Sequence, residues 1–238
     1  MKALHIVTPV KDSIESTRET IRAIMQSKLS IPFTYTVYND FSTPENSALL
    51  EEYQREFGFE LIHLKNLTDH PSPNYLLVLQ RCRHLALEAE AGLLLVESDV
   101  VVEPDTLQRL YDGALEREDC AIAASVTVDD QGEINYPYEY AKGHENQTYA
   151  TKRHCSFCCS LLKPEFMQRC DFDKLDSTKH WFDVQISHDA LDLGFKNYLF
   201  CNLPVIHRPH GSRPWKLLKK QNPLKYYWLK LTKGLDKI

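Results

Sequence analysis

The chain has 238 residues, 43% of them hydrophobic, and a formal net charge of −5. That is enough apolar material for one sizeable core, so one large domain is expected rather than two small ones. No stretch approaches the roughly 18 to 20 apolar residues of a membrane span, and the opening Met1-Lys2-Ala3-Leu4-His5-Ile6-Val7 is too short and too strand-like for a signal peptide.

Ala3 to Thr8 reads as a first strand. Ser16-Thr17-Arg18-Glu19 has the form of a capping box, with Ile21, Ile24 and Met25 following at helical spacing. Phe33 to Tyr38, rich in aromatic and β-branched residues, is a second strand. Thr43-Pro44 looks like an N-cap with proline in the first turn, and Leu49, Leu50, Tyr53 and Phe57 form the inner face of that helix. Phe59 to Leu64 is a third strand, and Asn74 to Ala91 a helix. Gly92 leads into Leu93-Leu94-Leu95-Val96, a buried parallel strand that ends on Glu97-Ser98-Asp99. Strands alternating with helices predict an α/β protein with a mostly parallel central sheet flanked by helices. The second half is less regular. Ala121 to Val128 and Ser156 to Leu162 read as strands, and Asp183 to Leu193 as a short helix stopped by Gly194. Asp129 to His154 is polar and aromatic, without a clear pattern.

Glu97 and Asp99 sit where a strand turns into a loop. In an open α/β sheet, ligands bind at the carboxyl ends of the strands. Two carboxylates there suit a hard divalent cation, Mg2+ or Mn2+, beside a phosphate. The plain alternative is a solvated acidic turn. Glycine usage bears on the choice, because the first glycine in the chain is Gly58. The loop after the first strand reads Thr8-Pro9-Val10-Lys11-Asp12-Ser13. The dinucleotide fingerprint and the P-loop, which need glycine so that backbone amides can approach phosphate, are therefore absent. A nucleotide on this sheet needs its phosphates neutralised in another way, and a metal held by acids does that.

The seven cysteines are odd in number and lie mostly in apolar runs, which points to reduced thiols in a cytosolic protein. Cys155, Cys158 and Cys159 with His154 carry a C-x-x-C spacing that suits zinc. No second pair follows and the stretch reads as a strand, so packed thiols are expected. Charge is uneven: from Arg208 onward there are nine Lys or Arg and one acid, Asp236, a net +8, which leaves −13 on the preceding body. Within residues 213–233, Trp215, Leu217, Leu218, Leu224, Tyr226, Tyr227, Trp228, Leu229 and Leu231 interleave with lysines. This describes either an interfacial segment on anionic lipid or a helix packed on the domain with a lysine-rich outer face. The acidic body argues against nucleic acid as a partner.

In these residues and their order, the chain resembles the family 2 glycosyltransferases of the GT-A fold. Thr8-Pro9-Val10 is similar to the family's threonine-proline start. Val37-Tyr38-Asn39-Asp40-Phe41-Ser42-Thr43 resembles its second strand with paired acids, and Arg83-His84 its Arg-Asn ahead of the metal strand. Glu97-Ser98-Asp99 matches the DxD motif. Trp181-Phe182-Asp183 resembles the segment of the catalytic base, and His207 after Leu203-Pro204-Val205-Ile206 a late metal-ligating histidine. The chain departs from the pattern at Glu97, Asn39, Phe182 and Gln185, each of which replaces a more usual acid. The Gln-x-x-Arg-Trp signature of processive synthases is absent, since Arg213-Pro214-Trp215 does not match it; this favours one sugar per encounter.

The resemblance implies a single Rossmann-like GT-A domain over 1–207, with a nucleotide-sugar half (1–103) and an acceptor half (104–207), then a basic aromatic tail (208–238). It implies metal-dependent, inverting transfer of one sugar from a UDP- or GDP-sugar to a hydroxyl of a saccharide or lipid-linked acceptor, in cell-surface polysaccharide or glycolipid synthesis. Asp99 is the expected direct ligand of Mn2+ or Mg2+. Glu97 is a second ligand or a ribose contact, and His207 or His210 adds nitrogen. Asp40 binds the nucleoside, Thr8 and Pro9 shape the base pocket, Arg83 meets the diphosphate, and Asp183 is the general base. His188 and Asp189 are expected to be exposed helix residues. A cytoplasmic enzyme, peripheral on the inner face of the membrane, is the matching location. Two other readings stay open: a nucleotidyltransferase on a similar sheet, and a non-catalytic binding domain of the same fold.

Overall fold

The computed structural model describes residues 1–179, 181–208 and 222–232. The strands are β1 (Ala3–Val10), β2 (Phe33–Asn39), β3 (Glu60–His63), β4 (Ala91–Val96), β5 (Val100–Val101), β6 (Cys120–Val128), β7 (Thr148–Thr151), β8 (Cys159–Leu162) and β9 (Lys196–His207). They form one sheet in the order β3-β2-β1-β4-β8-β6-β9-β5, with β7 also pairing β9. Strands β1 to β4, β6 and β9 run one way, while β8, β5 and β7 run against their neighbours. The α/β expectation holds: the sheet is mostly parallel and helices cover both faces.

The run Leu93–Val96 is apolar at every position because both faces of β4 are buried. Leu93 and Leu95 enter one core with Val78, Leu79 and Cys82 of α3 (Tyr75–Glu88), Phe166 of α5 (Pro164–Arg169) and Ile186 of α6 (Phe182–Asp192). Leu94 and Val96 enter the other, with Ile21 and Ile24 of α1 (Ile14–Met25), Leu50 of α2 (Pro44–Phe57) and Leu107 and Leu110 of α4 (Thr106–Leu115). Each fully buried aliphatic side chain contributes about 1.5–3 kcal/mol. At Gly92 a Cβ would meet Met1 Sδ and lie 2.8 Å from Leu161 Cδ1, so those side-chain ends would have to shift to admit a larger residue.

Local signals hold in part. Thr43 caps α2, its Oγ1 accepting from the Asn46 amide at 3.3 Å, and Gly58 closes the helix at φ +80°. Tyr53 and Phe57 pack on the second core beside Leu50, and Leu49 is half-buried. The capping box at Ser16–Glu19 does not form. Helix α1 starts at Ile14, one turn earlier than that box requires, and the Ser16 and Thr17 hydroxyls donate back to the Ser13 carbonyl. The patternless stretch after β6 contains β7, and the long β9 extends well before the strand-like residues Leu203–Ile206. Strand β8 begins only at Cys159, so Ser156, Phe157 and Cys158 form its approach.

The glycine-free loop after β1 is built by side chains. Asp12 takes φ +59° and Phe41, in the loop after β2, φ +57°. An Asp tolerates that left-handed region and a Phe seldom does, so the surroundings must hold it. They do: Lys11 Nζ donates to the Phe41 carbonyl, the Asp12 amide donates to Ser42 Oγ at 3.0 Å, and Asp12 Oδ1 accepts from the Thr43 amide at 2.7 Å. The ends of β1 and β2 are thereby locked together.

No helix among the described residues is long and apolar enough to cross a membrane. Helix α7 (Pro223–Thr232) exposes Leu224, Tyr227 and Trp228, which lie on one helical stripe. His210, Arg213, Trp215 and residues 216–220 lie outside the described residues.

Candidate active site

Two antiparallel ladders converge on residues 97–99. In the first, β8 pairs with β4, Val96 opposite Cys159, and the Glu97 amide continues it by donating to the Cys158 carbonyl at 2.9 Å. In the second, β5 pairs with β9, Val100 opposite His207, and the Arg208 amide donates to the Asp99 carbonyl at 3.0 Å. The backbone thus delivers Cys158 beside Glu97 and His207 beside Asp99. His207 Nε2 lies 3.6 Å from Asp99 Oδ2 and 3.8 Å from Glu97 Oε2. Cys158 Sγ lies 3.4 Å from Glu97 Oε2.

The tautomer of His207 follows from its other nitrogen. Nδ1 lies 2.9 Å from the Tyr136 carbonyl, which only accepts, so Nδ1 carries the proton. Asn135 Nδ2 donates to the His207 carbonyl at 2.8 Å and holds the same turn. The imidazole is 1% exposed, and its Nε2 has no hydrogen bond among the described residues. In the neutral ring a buried lone pair therefore faces two carboxylates, an arrangement that calls for a positive charge in the gap. Burial alone would lower the imidazole's pKa, but Asp99, Glu97 and the Tyr136 carbonyl outweigh it and raise the value above the ordinary 6.5. A proton answers the need in part. A divalent cation answers it through an imidazole oriented from behind and a facing carboxylate, although the described ligand atoms that all lie within 4.8 Å of one another belong to Glu97, Cys158 and His207, without Asp99. Two ligands across one such ion stand up to about 4.2 Å apart, so gaps of this size fit a shared cation better than a hydrogen bond. The residues therefore fit a divalent metal.

Asp183 occupies the first turn of α6, where the helix dipole favours an anion, and its Oδ1 accepts from the Val184 amide at 2.9 Å. Tyr75 stands at the start of α3 and its ring packs against Phe182, the residue before Asp183. Its hydroxyl is held well above the ordinary phenol range, first by burial, then by the negative charges of Glu97 and Asp183. The phenol stays protonated.

The remaining sequence-predicted residues divide. Asp40 is buried at the end of β2 and accepts from Ser72 Oγ at 2.7 Å, the Asn74 amide at 2.9 Å and Asn74 Nδ2 at 2.7 Å. It shapes the turn that leads into Tyr75. Thr8 is fully buried, and its Oγ1 accepts from the Tyr35 hydroxyl at 3.1 Å; Pro9 is half-buried beside it. Arg83 is not brought to the carboxylates. Its Nε donates to the Met167 carbonyl at 2.9 Å and its guanidinium pairs with Asp171 at 3.3 Å, so it clamps α3 to α5. Its place on the buried side of α3 explains this. His188 is exposed, but Asp189 is half-buried with its carboxyl raised by that burial. All seven cysteines are buried thiols without disulfides.

Sequence reasoning did not single out Tyr75, Tyr136 or the position of Cys158. Glu97, Cys158 and His207 bring one potential ligand atom each within 4.8 Å of one another. The C-x-x-C spacing did mark Cys158, but the strand assigned there hid which thiol turns toward the acids.

The chain matches known proteins at the level of fold and family. Residues 5–170 match the family model for glycosyl transferase family 2. Asp183 and His207 lie beyond the matched residues. No curated protein sequence matches significantly. Among solved structures, the chain is similar to the mannosyltransferase PcManGT from Pyrobaculum calidifontis, in complex with GDP-Man and Mn2+, with a TM-score of 0.63 and 10% identity over 96% of this chain and 64% of that one. It is also similar to S. aureus TarS 1–349, with a TM-score of 0.55 and 16% identity over 92% of this chain and 63% of that one. The chain thus spans just under two thirds of either neighbour. These likenesses give the fold, and the match over most of the chain gives the family: the chain belongs to glycosyl transferase family 2.

Proposed function

We infer that the protein is a metal-dependent, inverting glycosyltransferase that moves one sugar from a nucleotide-diphosphate sugar to an acceptor hydroxyl. The observation that carries this is the buried His207 Nε2, without a hydrogen bond among the described residues, facing Asp99 and Glu97 at the carboxyl end of β4. Asp99, Glu97 and His207 would hold Mn2+ or Mg2+. Such an ion supplies Lewis-acid compensation for the charge that builds on the diphosphate leaving group. The GDP-Man and Mn2+ bound to the Pyrobaculum neighbour support a nucleotide-sugar donor and a divalent ion here.

The chain's own residues would do the rest. Asp40, with Thr8 and Pro9 beside it, would shape the nucleoside end of a pocket over 1–103. Asp183, on the acceptor half at 104–207, would take the proton of the acceptor hydroxyl. The new carbon–oxygen bond forms on the face opposite the diphosphate as the bond to the phosphate oxygen breaks, which inverts the anomeric centre. Arg83 is the weakest member of this set, because its guanidinium is already committed to Met167 and Asp171.

The exposed stripe Leu224, Tyr227 and Trp228 beside lysines supports a peripheral membrane location and a lipid-linked acceptor. The test of the main reading is a panel of UDP- and GDP-sugars with Mn2+ or Mg2+, with and without chelator. Metal-dependent release of nucleoside diphosphate supports it. Pyrophosphate release would favour a nucleotidyltransferase, and no release with any donor and acceptor extract would overturn the reading.

A further inference from the structure

Beside the two carboxylates and the imidazole stands a sulfur. Cys158 is buried, its thiol 3.4 Å from Glu97 Oε2 and 3.2 Å from Ser156 Oγ. Its position is set by backbone, since the Cys158 carbonyl accepts the Glu97 amide. Glu97, Cys158 and His207 can each place a ligand atom within 4.8 Å of the other two. Neighbouring ligands on a single tetrahedral zinc ion stand about 3.6 Å apart, from a zinc–sulfur bond of about 2.3 Å and a zinc–nitrogen bond of about 2.1 Å. Small side-chain rotations close the difference. A second, independent feature points into the same gap: the fully buried Nε2 of His207, which has no hydrogen bond among the described residues.

We propose that Cys158 is an additional ligand at this site and makes it selective for thiophilic divalent cations, Zn2+, Cd2+ and Co2+, over Mg2+. The proposal rests on the metal reading of the same site. Hard oxygen donors alone favour Mg2+ or Mn2+, whereas a mixed nitrogen, sulfur and oxygen set shifts preference to borderline and soft ions. With Mg2+ or Mn2+ the thiol keeps its proton and leans on Glu97. With a thiophilic ion the sulfur coordinates as thiolate, the sulfur–metal bond forms as the S–H bond breaks, and one proton leaves to solvent for each ion bound. Zn2+ would then compete with Mn2+ for Glu97 and His207.

The experiment uses the full chain stripped of metal and titrated with Co2+, read by absorption and by proton release into weak buffer. The expected result is a thiolate-to-cobalt charge-transfer band and one proton per ion. In Cys158→Ser the band and the proton are lost, Zn2+ affinity falls about 10- to 100-fold, and Mn2+ affinity changes less than about threefold. Cadmium NMR on the unmutated protein reads sulfur ligation directly, so the test survives if the variant folds poorly. A cobalt or cadmium spectrum with nitrogen and oxygen ligands only overturns the role of Cys158 while leaving the metal site intact. No binding of any divalent ion, Mn2+ included, overturns both this proposal and the metal reading of the site.

Discussion

Asn74 turns both its donors onto one carboxylate: its backbone amide meets Asp40 Oδ2 at 2.9 Å and its Nδ2 meets Oδ1 at 2.7 Å. With Ser72 Oγ on Oδ2 as well, Asp40 ties the end of β2 to the start of α3. Hydrogen bonds to a buried charge contribute more than neutral ones, and their loss leaves donors unsatisfied. Asp40→Ala is therefore expected to cost about 2–4 kcal/mol in urea unfolding, and to raise the donor KM because the turn before Tyr75 loosens. A variant with unchanged stability and a raised KM would mean that Asp40 serves the nucleotide alone.

Asp99 is the sharper test of the metal site. At 3% exposure it faces His207 with little water to compete. Asp99→Asn keeps the shape and removes the charge, so turnover should fall by about 10²-fold or more, with Mn2+ affinity falling alongside it. Glu97→Gln, at the wetter edge of the site, should lose less. Chelation of the unmutated enzyme should abolish nucleoside diphosphate release, and added Mn2+ should restore it. Turnover that survives both chelator and Asp99→Asn would dismiss the metal.

Much of this was legible in the sequence, for a physical reason. Leu93–Val96 announces itself because a strand buried on both faces cannot afford a polar residue, and Thr43-Pro44 and Gly58 mark the ends of α2 by backbone chemistry. What escaped depends on long-range pairing. Strand β9 carries Asn202 and Pro204 at exposed positions beside a register irregularity against β6, so its pattern breaks where it bulges. Two-residue β5 has no period at all, yet its pairing with β9 brings His207 to Asp99. Arg83 has the right type and spacing, but nothing local reveals that Met167 and Asp171 occupy its guanidinium.

Asp183 separates proton transfer from donor binding. It lies in the first turn of α6, on a different element from the carboxylates that follow β4. Asp183→Asn should leave donor KM and Mn2+ affinity within about threefold while kcat for transfer falls by about 10²–10⁴-fold, the range that a positioned base contributes. A kcat for transfer that stays within about threefold of the unmutated enzyme would make Asp183 a structural N-terminal acid only.

Acid sensitivity follows from two other histidines. Burial lowers the pKa of His5 below 6.5 despite the opposing Glu60 charge, and Arg81 adds to the effect. His154 is lowered too, by burial, then His188 and Arg153. For both, the unfolded chain binds a proton at a pH where the folded protein does not, so stability falls as pH drops below about 6.5 toward the folded values. His207 has the opposite sign in metal-free protein: its contribution is full below 6.5 and fades as pH rises through its raised folded value. Urea midpoints at about pH 7 and about pH 5.5, with chelator, should show a net loss on acidification that His5→Gln reduces. Gln can still bond Thr34, which contacts His5 Nδ1 at 2.8 Å. An unchanged slope in the variant would remove His5 from the acid response.

The tail gives the last prediction. Leu224, Tyr227 and Trp228 are 84%, 51% and 62% exposed on one stripe of α7, and the chain from Arg208 onward carries +8 against the acidic body. Apolar and aromatic groups on a basic helix gain free energy at a lipid interface by two additive terms, buried apolar area and attraction to anionic headgroups. The Tyr227→Ala, Trp228→Ala variant of the whole chain keeps only Leu224 of the first term and keeps the second. Co-sedimentation with anionic vesicles should therefore fall about tenfold, and the residual binding should vanish as salt rises, because a Debye length of about 8 Å at physiological ionic strength screens the remaining lysines. Transfer to a soluble acceptor should not change, since neither residue belongs to the site at β4. Wild-type protein that ignores anionic vesicles at low salt would show that the stripe has another use, and the lipid-linked acceptor would lose its support along with it.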